Sequence, residues 1–142
     1  MNSSTRILTV RGLILASAFL FPAFAMRAEA PVMVSAKQSG KTMTLTVGGS
    51  LEVRLSAQLG TGYGWHVTTP AEAILTKDGE PKIEPTQGVK QMPGGPEIQV
   101  FHFPAKAAGK ADLKLQYFRQ FEPGKKPLRT ATFHIVVLAP KS

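Results

Sequence analysis

Residues 51–65 read LEVRLSAQLGTGYGW, and in this stretch strict alternation gives way to glycine at every second position. In residues 51–57 apolar side chains alternate with polar or charged ones, which places one face of a β-strand on a core and the other in water. Gly60, Gly62 and Gly64 then permit backbone angles that are closed to other residues. The stretch therefore predicts a half-buried strand that ends in a tight loop.

The same period of two recurs elsewhere, whereas no stretch after the N-terminal segment shows a sustained helical period. Further strands are predicted where apolar and polar residues alternate, at 43–47, 111–117 and 133–137, and a strand is also predicted at 97–103. Strands at this spacing, separated by Gly and Pro, predict an all-β sandwich or small barrel.

Turn chemistry gives the connections between the strands. Gly48 and Gly49 separate two alternating runs, which predicts a β-hairpin there. The sequence PGKKP at 123–127 separates the last two strands. Residues 72–77 are less regular and are consistent with either a strand or one helical turn.

Composition limits the possible functions of the 142-residue chain. It contains no cysteine, which excludes disulfides, cysteine-ligated metals and a cysteine nucleophile. Its hydrophobic content of 43% is ordinary for a globular domain, so general disorder is not expected. Its net charge of +8 permits binding to anionic surfaces without establishing it.

The N-terminus resembles a secretory signal. Arg6 and Arg11 precede an uncharged run at 13–25 that ends in Ala-Phe-Ala, a typical cleavage site. The run is short for a spanning helix, which needs roughly 20 apolar residues; a short membrane anchor is the alternative. We expect a signal peptide at 1–25 and one domain at 26–142, secreted or periplasmic and free of the membrane after processing. Loss of both arginines lowers the net charge from +8 to +6.

Enzymatic, metal and nucleotide sites are not predicted. His66, His102 and His134 have no acidic residue at the spacing of a metal motif, and nothing favours a Ser-His-Asp arrangement. The alternating glycines lack the spacing of a nucleotide-binding loop, and no helix follows them. We therefore expect no metal, no cofactor and no catalysis. Export and the dispersed basic residues argue against nucleic acid as a partner.

Three glycine-rich or aromatic segments at strand ends resemble the chagasin-type inhibitors of papain-like cysteine peptidases. The first is QLGTGYGW at 58–65, the second PGGPEIQVFHF at 93–103, and the third YFRQFE at 117–122. Their order and spacing are similar to the family pattern over about residues 32–138. The first family loop reads Asn-Pro-Thr-Thr-Gly before its aromatic residue, and the third reads Arg-Pro-Trp.

The resemblance implies a single immunoglobulin-like antiparallel β-sandwich whose three loops block the cleft of a papain-like cysteine peptidase. It implies a reversible inhibitor, not an enzyme, and we expect it to act as a monomer. Tyr63 and Trp65 are expected to support the first loop. The expected peptidase-binding residues are Gly60, Thr61, Gly62, Gly94, Gly95, Arg119 and Phe121.

Two departures from the family pattern predict inhibition that is weaker or differently targeted. In the first loop, Gln58, Leu59 and Gly60 replace Asn, Pro and Thr, which removes a fixed backbone angle. In the third loop, Gln120 and Phe121 replace Pro and Trp, which reduces the aromatic area.

Two interpretations stay open at this point. The basic cluster of Lys125, Lys126 and Arg129 either keeps a turn solvated or steers the protein toward an acidic peptidase surface. The alternative function is that of an immunoglobulin-like adhesion or carrier module that uses the same loops for another ligand.

Overall fold

The computed structural model describes residues 29–140, so the predicted signal peptide lies outside the described residues. Within this range no helix has the length and apolar content needed to cross a bilayer. The helical elements are two three-residue 3-10 turns, at Ala36–Gln38 and Leu59–Thr61. The strands are β1 (Val32–Val34), β2 (Thr42–Thr46), β3 (Ser50–Ala57), β4 (Tyr63–Pro70), β5 (Lys82–Pro85), β6 (Glu97–Pro104), β7 (Gly109–Arg119) and β8 (Arg129–Leu138).

The strands form two four-stranded sheets. Sheet I has the order β1-β3-β6-β5 and sheet II the order β2-β8-β7-β4. Most neighbours are antiparallel, but β1 pairs with β3, and β2 with β8, in parallel. The predicted all-β sandwich is thus confirmed, with one parallel pair at an edge of each sheet.

The core lies between the sheets and follows from the alternation in the sequence. In β3, the side chains of Leu51, Val53 and Leu55 are fully buried, and the residues between them are not. In β8, Phe133 and Ile135 face them from sheet II. Each such side chain contributes roughly 1.5–3 kcal/mol to folding when it leaves water.

The hairpin predicted at Gly48 and Gly49 is wrong. The strands on either side of these glycines, β2 and β3, lie in different sheets. The turn crosses the sandwich and pairs with the residue after β6: Gly48 N–H donates to Ala105 C=O at 3.0 Å, and Ala105 N–H donates to Gly49 C=O at 2.9 Å. A Gly-Gly turn serves a hairpin and a sheet-to-sheet crossing equally well, and here the distant partner decides.

The irregular segment at 72–77 forms a turn, so the strand alternative is wrong. Ala71 C=O accepts the N–H groups of Ile74 and Leu75, both at 3.0 Å. Leu75 then makes a single bridge to Ala105. Because the side chains of Ile74 and Leu75 are buried, this turn covers one side of the core.

Candidate functional site at the loop end

Three loops extend from the same end of the sandwich. Loop 1 (58–62) joins β3 to β4, loop 2 (86–96) joins β5 to β6, and loop 3 (120–128) joins β7 to β8. We call this end the loop end, and the end that carries the 47–49 turn the closed end.

Strand register brings the loops together. Ala57, the last residue of β3, pairs with Glu97, the first residue of β6, so loops 1 and 2 start from adjacent strands of sheet I. Tyr63, the first residue of β4, pairs with Arg119, the last residue of β7, so loops 1 and 3 are adjacent in sheet II. Loop 1, which crosses from one sheet to the other, therefore lies between the other two.

Loop 1 is a single 3-10 turn with a left-handed end. Gly62 N–H donates to Leu59 C=O at 2.9 Å, and Gly62 has a φ of +82°. A side chain at this φ would strain the backbone. Leu59, which stands where the family has Pro, packs its side chain against the core. This contact gives the loop an anchor that the sequence did not predict.

Loop 2 approaches loop 1 so closely that Gly60 has no room for a side chain at the contact. A Cβ added to Gly60 would lie 2.8 Å from the Cα of Gly94. Gly94 has a φ of +75°, within a tight turn that Gly95 N–H closes by donating to Met92 C=O at 2.9 Å. The predicted residues Gly60, Gly94 and Gly95 thus lie together.

Loop 3 contacts the other side of loop 1. Arg119 Nε donates to Thr61 C=O at 3.0 Å. The ring of Phe121 lies over Gly62, because a Cβ added there would be 2.6 Å from the ring. All seven residues predicted to bind peptidase therefore lie at the loop end. Their contact with a peptidase stays a prediction.

An aromatic column lies beneath the loops and consists of Tyr63, Tyr117 and Trp65. The ring of Tyr117 lies 5.5 Å from that of Tyr63 and 5.3 Å from that of Trp65. Trp65 is buried, and its indole N–H donates to Ser56 C=O at 3.0 Å. Tyr117 accepts the N–H of Gln58, the residue that begins loop 1, at 2.9 Å. The column thus connects both sheets to the base of loop 1.

Gln99 is a buried polar side chain that the sequence did not single out. Only 5% of it is exposed, and its Oε1 accepts the N–H of Trp65 at 2.6 Å. Trp65 belongs to an edge strand, so this N–H has no neighbouring strand to bind. The signal was present in the sequence, because Gln99 is in phase with the inward-facing Phe101 and Phe103.

The loop end exposes apolar side chains. Of the seven large apolar side chains that are exposed in residues 29–140, four belong to loops 2 and 3. Phe121 is 68% exposed, and the others are Val89, Met92 and Leu128. Single exposed apolar residues are common on protein surfaces, but here four of them lie on the two loops that flank loop 1.

Charges on loop 3 are partly paired. A hydrogen bond from Lys125, at 3.0 Å, holds the pKa of the Glu122 carboxyl below its usual value, and the nearby Arg119 acts in the same direction. Within residues 29–140, Lys126 has no ion pair. Of the basic cluster predicted to steer association, only Lys125 is paired with a carboxylate in this range.

His66 lies in β4 next to loop 3. Its ring is 4.4 Å from the ring of Phe118, and its Nδ1 lies 3.3 Å from the side-chain nitrogen of Gln120. Burial lowers the pKa of His66, which keeps the imidazole neutral. In the described range, residues 29–140, no three potential ligands lie close enough to hold a metal ion.

The chain's similarity to a known family agrees with this geometry. Residues 44–137 match the model of the chagasin family peptidase inhibitor I42. The match begins in β2 and ends in β8, so it includes all three loops. The chain belongs to the chagasin family of peptidase inhibitors. Because this is a family of inhibitors, the prediction that the chain is not an enzyme is confirmed.

Individual proteins resemble the chain in sequence or in fold. Amoebiasin-2 of Entamoeba histolytica is 27% identical over 105 residues, which are 74% of this chain and 84% of the relative. The crystal structure of the cysteine protease inhibitor EhICP2 from Entamoeba histolytica superposes with a TM-score of 0.67 at 24% identity, over 75% of this chain and 95% of the other. The solution structure of Amebosin gives 0.64 at 20% identity, over 78% and 100%.

Proposed function

We propose that the protein is a reversible inhibitor of papain-like cysteine peptidases that inserts loop 1 into the substrate cleft, with loops 2 and 3 on either side. The observation that carries this proposal is the convergence of the three loops. Gly60 approaches Gly94 on one side of loop 1, and Arg119 binds Thr61 on the other. Small residues let the main chain enter a narrow cleft where larger side chains would clash.

The surface at the loop end has the composition of an interface. Exposed Phe121, Met92 and Leu128 offer apolar area beside loop 1, and aromatic residues and Arg are the types that most often dominate binding energy. Protease–inhibitor interfaces bury about 1,600 Å² in total. Three adjoining loops are a reasonable source of such an area.

The proposed inhibition is non-covalent. The chain has no cysteine that could form a mixed disulfide with the target. Loop 1 presents its main chain in a 3-10 turn that ends at a left-handed Gly62, so it does not offer the extended backbone of a cleavable substrate. Affinity would come from shape and hydrogen bonds alone.

Titration of papain with the purified protein tests the proposal. We expect stoichiometric loss of activity that dilution reverses, and equal binding to a papain variant whose catalytic cysteine is replaced by alanine. If neither form of papain binds, the proposal is wrong for this class of peptidase, and the adhesion or carrier alternative gains support.

We also propose that the chain is exported, cleaved after Ala25 and active as a monomer in the periplasm or outside the cell. The uncharged run at 13–25 and its Ala-Phe-Ala end support export. N-terminal sequencing of the exported protein should begin at Met26. Recovery of an intact, membrane-bound chain would contradict this.

A further inference from the structure

Arg129 lies against the aromatic column and plays no part in the loop contacts described above. It is the first residue of β8 and pairs with Tyr117 of β7, so the two side chains share the inner face of sheet II. Its guanidinium carbon lies 4.1 Å from the centre of the Tyr117 ring and 5.1 Å from that of Trp65. Both distances are within the range of a cation–π interaction.

The same guanidinium group reaches the other sheet. Its Nη2 donates to Ser56 C=O at 3.1 Å, the carbonyl that also accepts the indole N–H of Trp65 at 3.0 Å. A carbonyl oxygen has two lone pairs, so it accepts both donors. Ser56 lies two residues before loop 1. Arg129 therefore links sheet II to the base of loop 1 in sheet I.

Tyr117 connects Arg129 to loop 1 by a second route. While Arg129 stacks on its ring, its hydroxyl accepts the N–H of Gln58, the first residue of loop 1. The same guanidinium group thus contacts both the Tyr117 ring and the Ser56 carbonyl at the base of loop 1.

We infer that Arg129 is a positioning residue. It holds loop 1 in its binding conformation but is not itself one of the residues that enter the peptidase cleft. Its effect on inhibition rests on the proposed function, whereas its effect on loop order does not. When only a fraction of molecules have a binding-competent loop, the apparent affinity falls by that fraction.

Arginine is suited to this role and lysine is not. The planar guanidinium stacks on a ring and donates hydrogen bonds at its edge at the same time, whereas an ammonium group is a point charge. The variant Arg129→Lys therefore keeps the charge and removes the link. Lys126→Gln is the matched control, because it removes a charge from the same end and leaves the aromatic column intact.

Two measurements test loop order without a peptidase. We expect Arg129→Lys to speed amide exchange at 58–62 about tenfold, in line with a smaller ordered fraction. It should also shift the fluorescence of Trp65, the single tryptophan of the chain. Lys126→Gln should change neither signal. Parent-like exchange and fluorescence in folded Arg129→Lys would overturn the inference.

Association with papain at low and high ionic strength separates positioning from steering. Arg129→Lys should slow association by a similar factor, about tenfold, at both salt concentrations, because it reduces the competent fraction. Lys126→Gln should slow it mainly at low salt, since salt screens steering. If exchange accelerates but association is unchanged, the link to inhibition is wrong. If the parent itself does not bind papain, the proposed function fails while the exchange result still decides the role of Arg129.

Discussion

At the closed end the sandwich is joined by main-chain hydrogen bonds, whereas at the loop end it is joined by side chains. The turn at 47–49 bonds to Ala105 and to Leu138 through backbone N–H and C=O groups. At the loop end, Trp65, Tyr117 and Arg129 connect the sheets through rings, a hydroxyl and a guanidinium. Main-chain hydrogen bonds need no particular side chain, so this connection at the closed end depends on residue type mainly through backbone angles, such as the φ of +90° at Gly48. The loop end depends on particular residues, as a binding surface does.

The largest expected effect is on the free energy of unfolding, and it comes from a substitution at the closed end that should leave inhibition unchanged. Leu51 is fully buried beside Phe103 of the neighbouring strand. Leu51→Ala should lower the free energy of unfolding by about 2–5 kcal/mol, through lost burial and the cavity it leaves. The inhibition constant of the folded protein should not change. Thermal denaturation and papain titration measure the two quantities, and a change in both would break the comparison.

The reverse pattern is expected for Gly60→Ala at the loop end. The added Cβ meets the backbone of Gly94, which has no flexible side chain to move aside, so loops 1 and 2 must separate. Inhibition should weaken by roughly 2–4 kcal/mol, the range of an interface hot spot, with little change in the thermal midpoint.

Gly48→Ala is the control for Gly60→Ala. Gly48 has a φ of +90° and open space around its Cα, so this variant should cost about 1–2 kcal/mol of stability through the left-handed backbone. Inhibition should stay at the parent level. A Gly60→Ala protein that inhibits as well as its parent would remove the contact between loops 1 and 2 from the site.

Phe121→Ala should weaken inhibition by roughly 1–3 kcal/mol, because an exposed aromatic side chain would lose its apolar pocket on the partner. Its exposure predicts an almost unchanged thermal midpoint. Leu138→Ala is the matched variant at the closed end, where 52% of the side chain is exposed, and should change neither quantity. Equal inhibition by both variants would contradict a role for loop 3.

The smallest effect concerns pH. Burial lowers the pKa of His66 below its usual value of about 6.5. The unfolded chain therefore binds a proton more readily than the folded chain, and stability falls as the pH drops from about 6.5 toward the folded pKa. His66→Gln should reduce the loss of thermal midpoint between pH 7.5 and pH 5. An identical pH dependence in both proteins would show that His66 is not its source.

Local pattern was sufficient for the central strands and for the glycines of the loops. Strands β3, β7 and β8 alternate because each has one buried face, and that periodicity is visible without a partner. The hairpin prediction at Gly48 and Gly49 failed because β2 pairs with β8, whose residues lie 92 positions further along the chain, from Thr42 with His134 to Thr46 with Leu138.

The residues that hold the loops in place were harder to predict than the glycines of the loops. Gly60, Gly62 and Gly94 are unusual in composition and fit a known pattern of loops. The contributions of Gln99, Tyr117 and Arg129 depend on which strand lies opposite, so they follow from register and not from the residues themselves. An inward-facing glutamine in a row of phenylalanines was the one local sign of these supports.

The position of β8 has a consequence for the order in which the chain acquires its structure. This strand is the last in the described chain, yet it lies in the middle of sheet II, between β2 and β7. A chain emerging from a ribosome or a translocation pore cannot complete this sheet until residues 129–138 are free. Before that, β2 has no neighbour and the apolar face of β7 is incompletely covered. Sheet II can therefore close only after residues 129–138 have emerged, and a chain that stops at loop 3 should aggregate or be degraded.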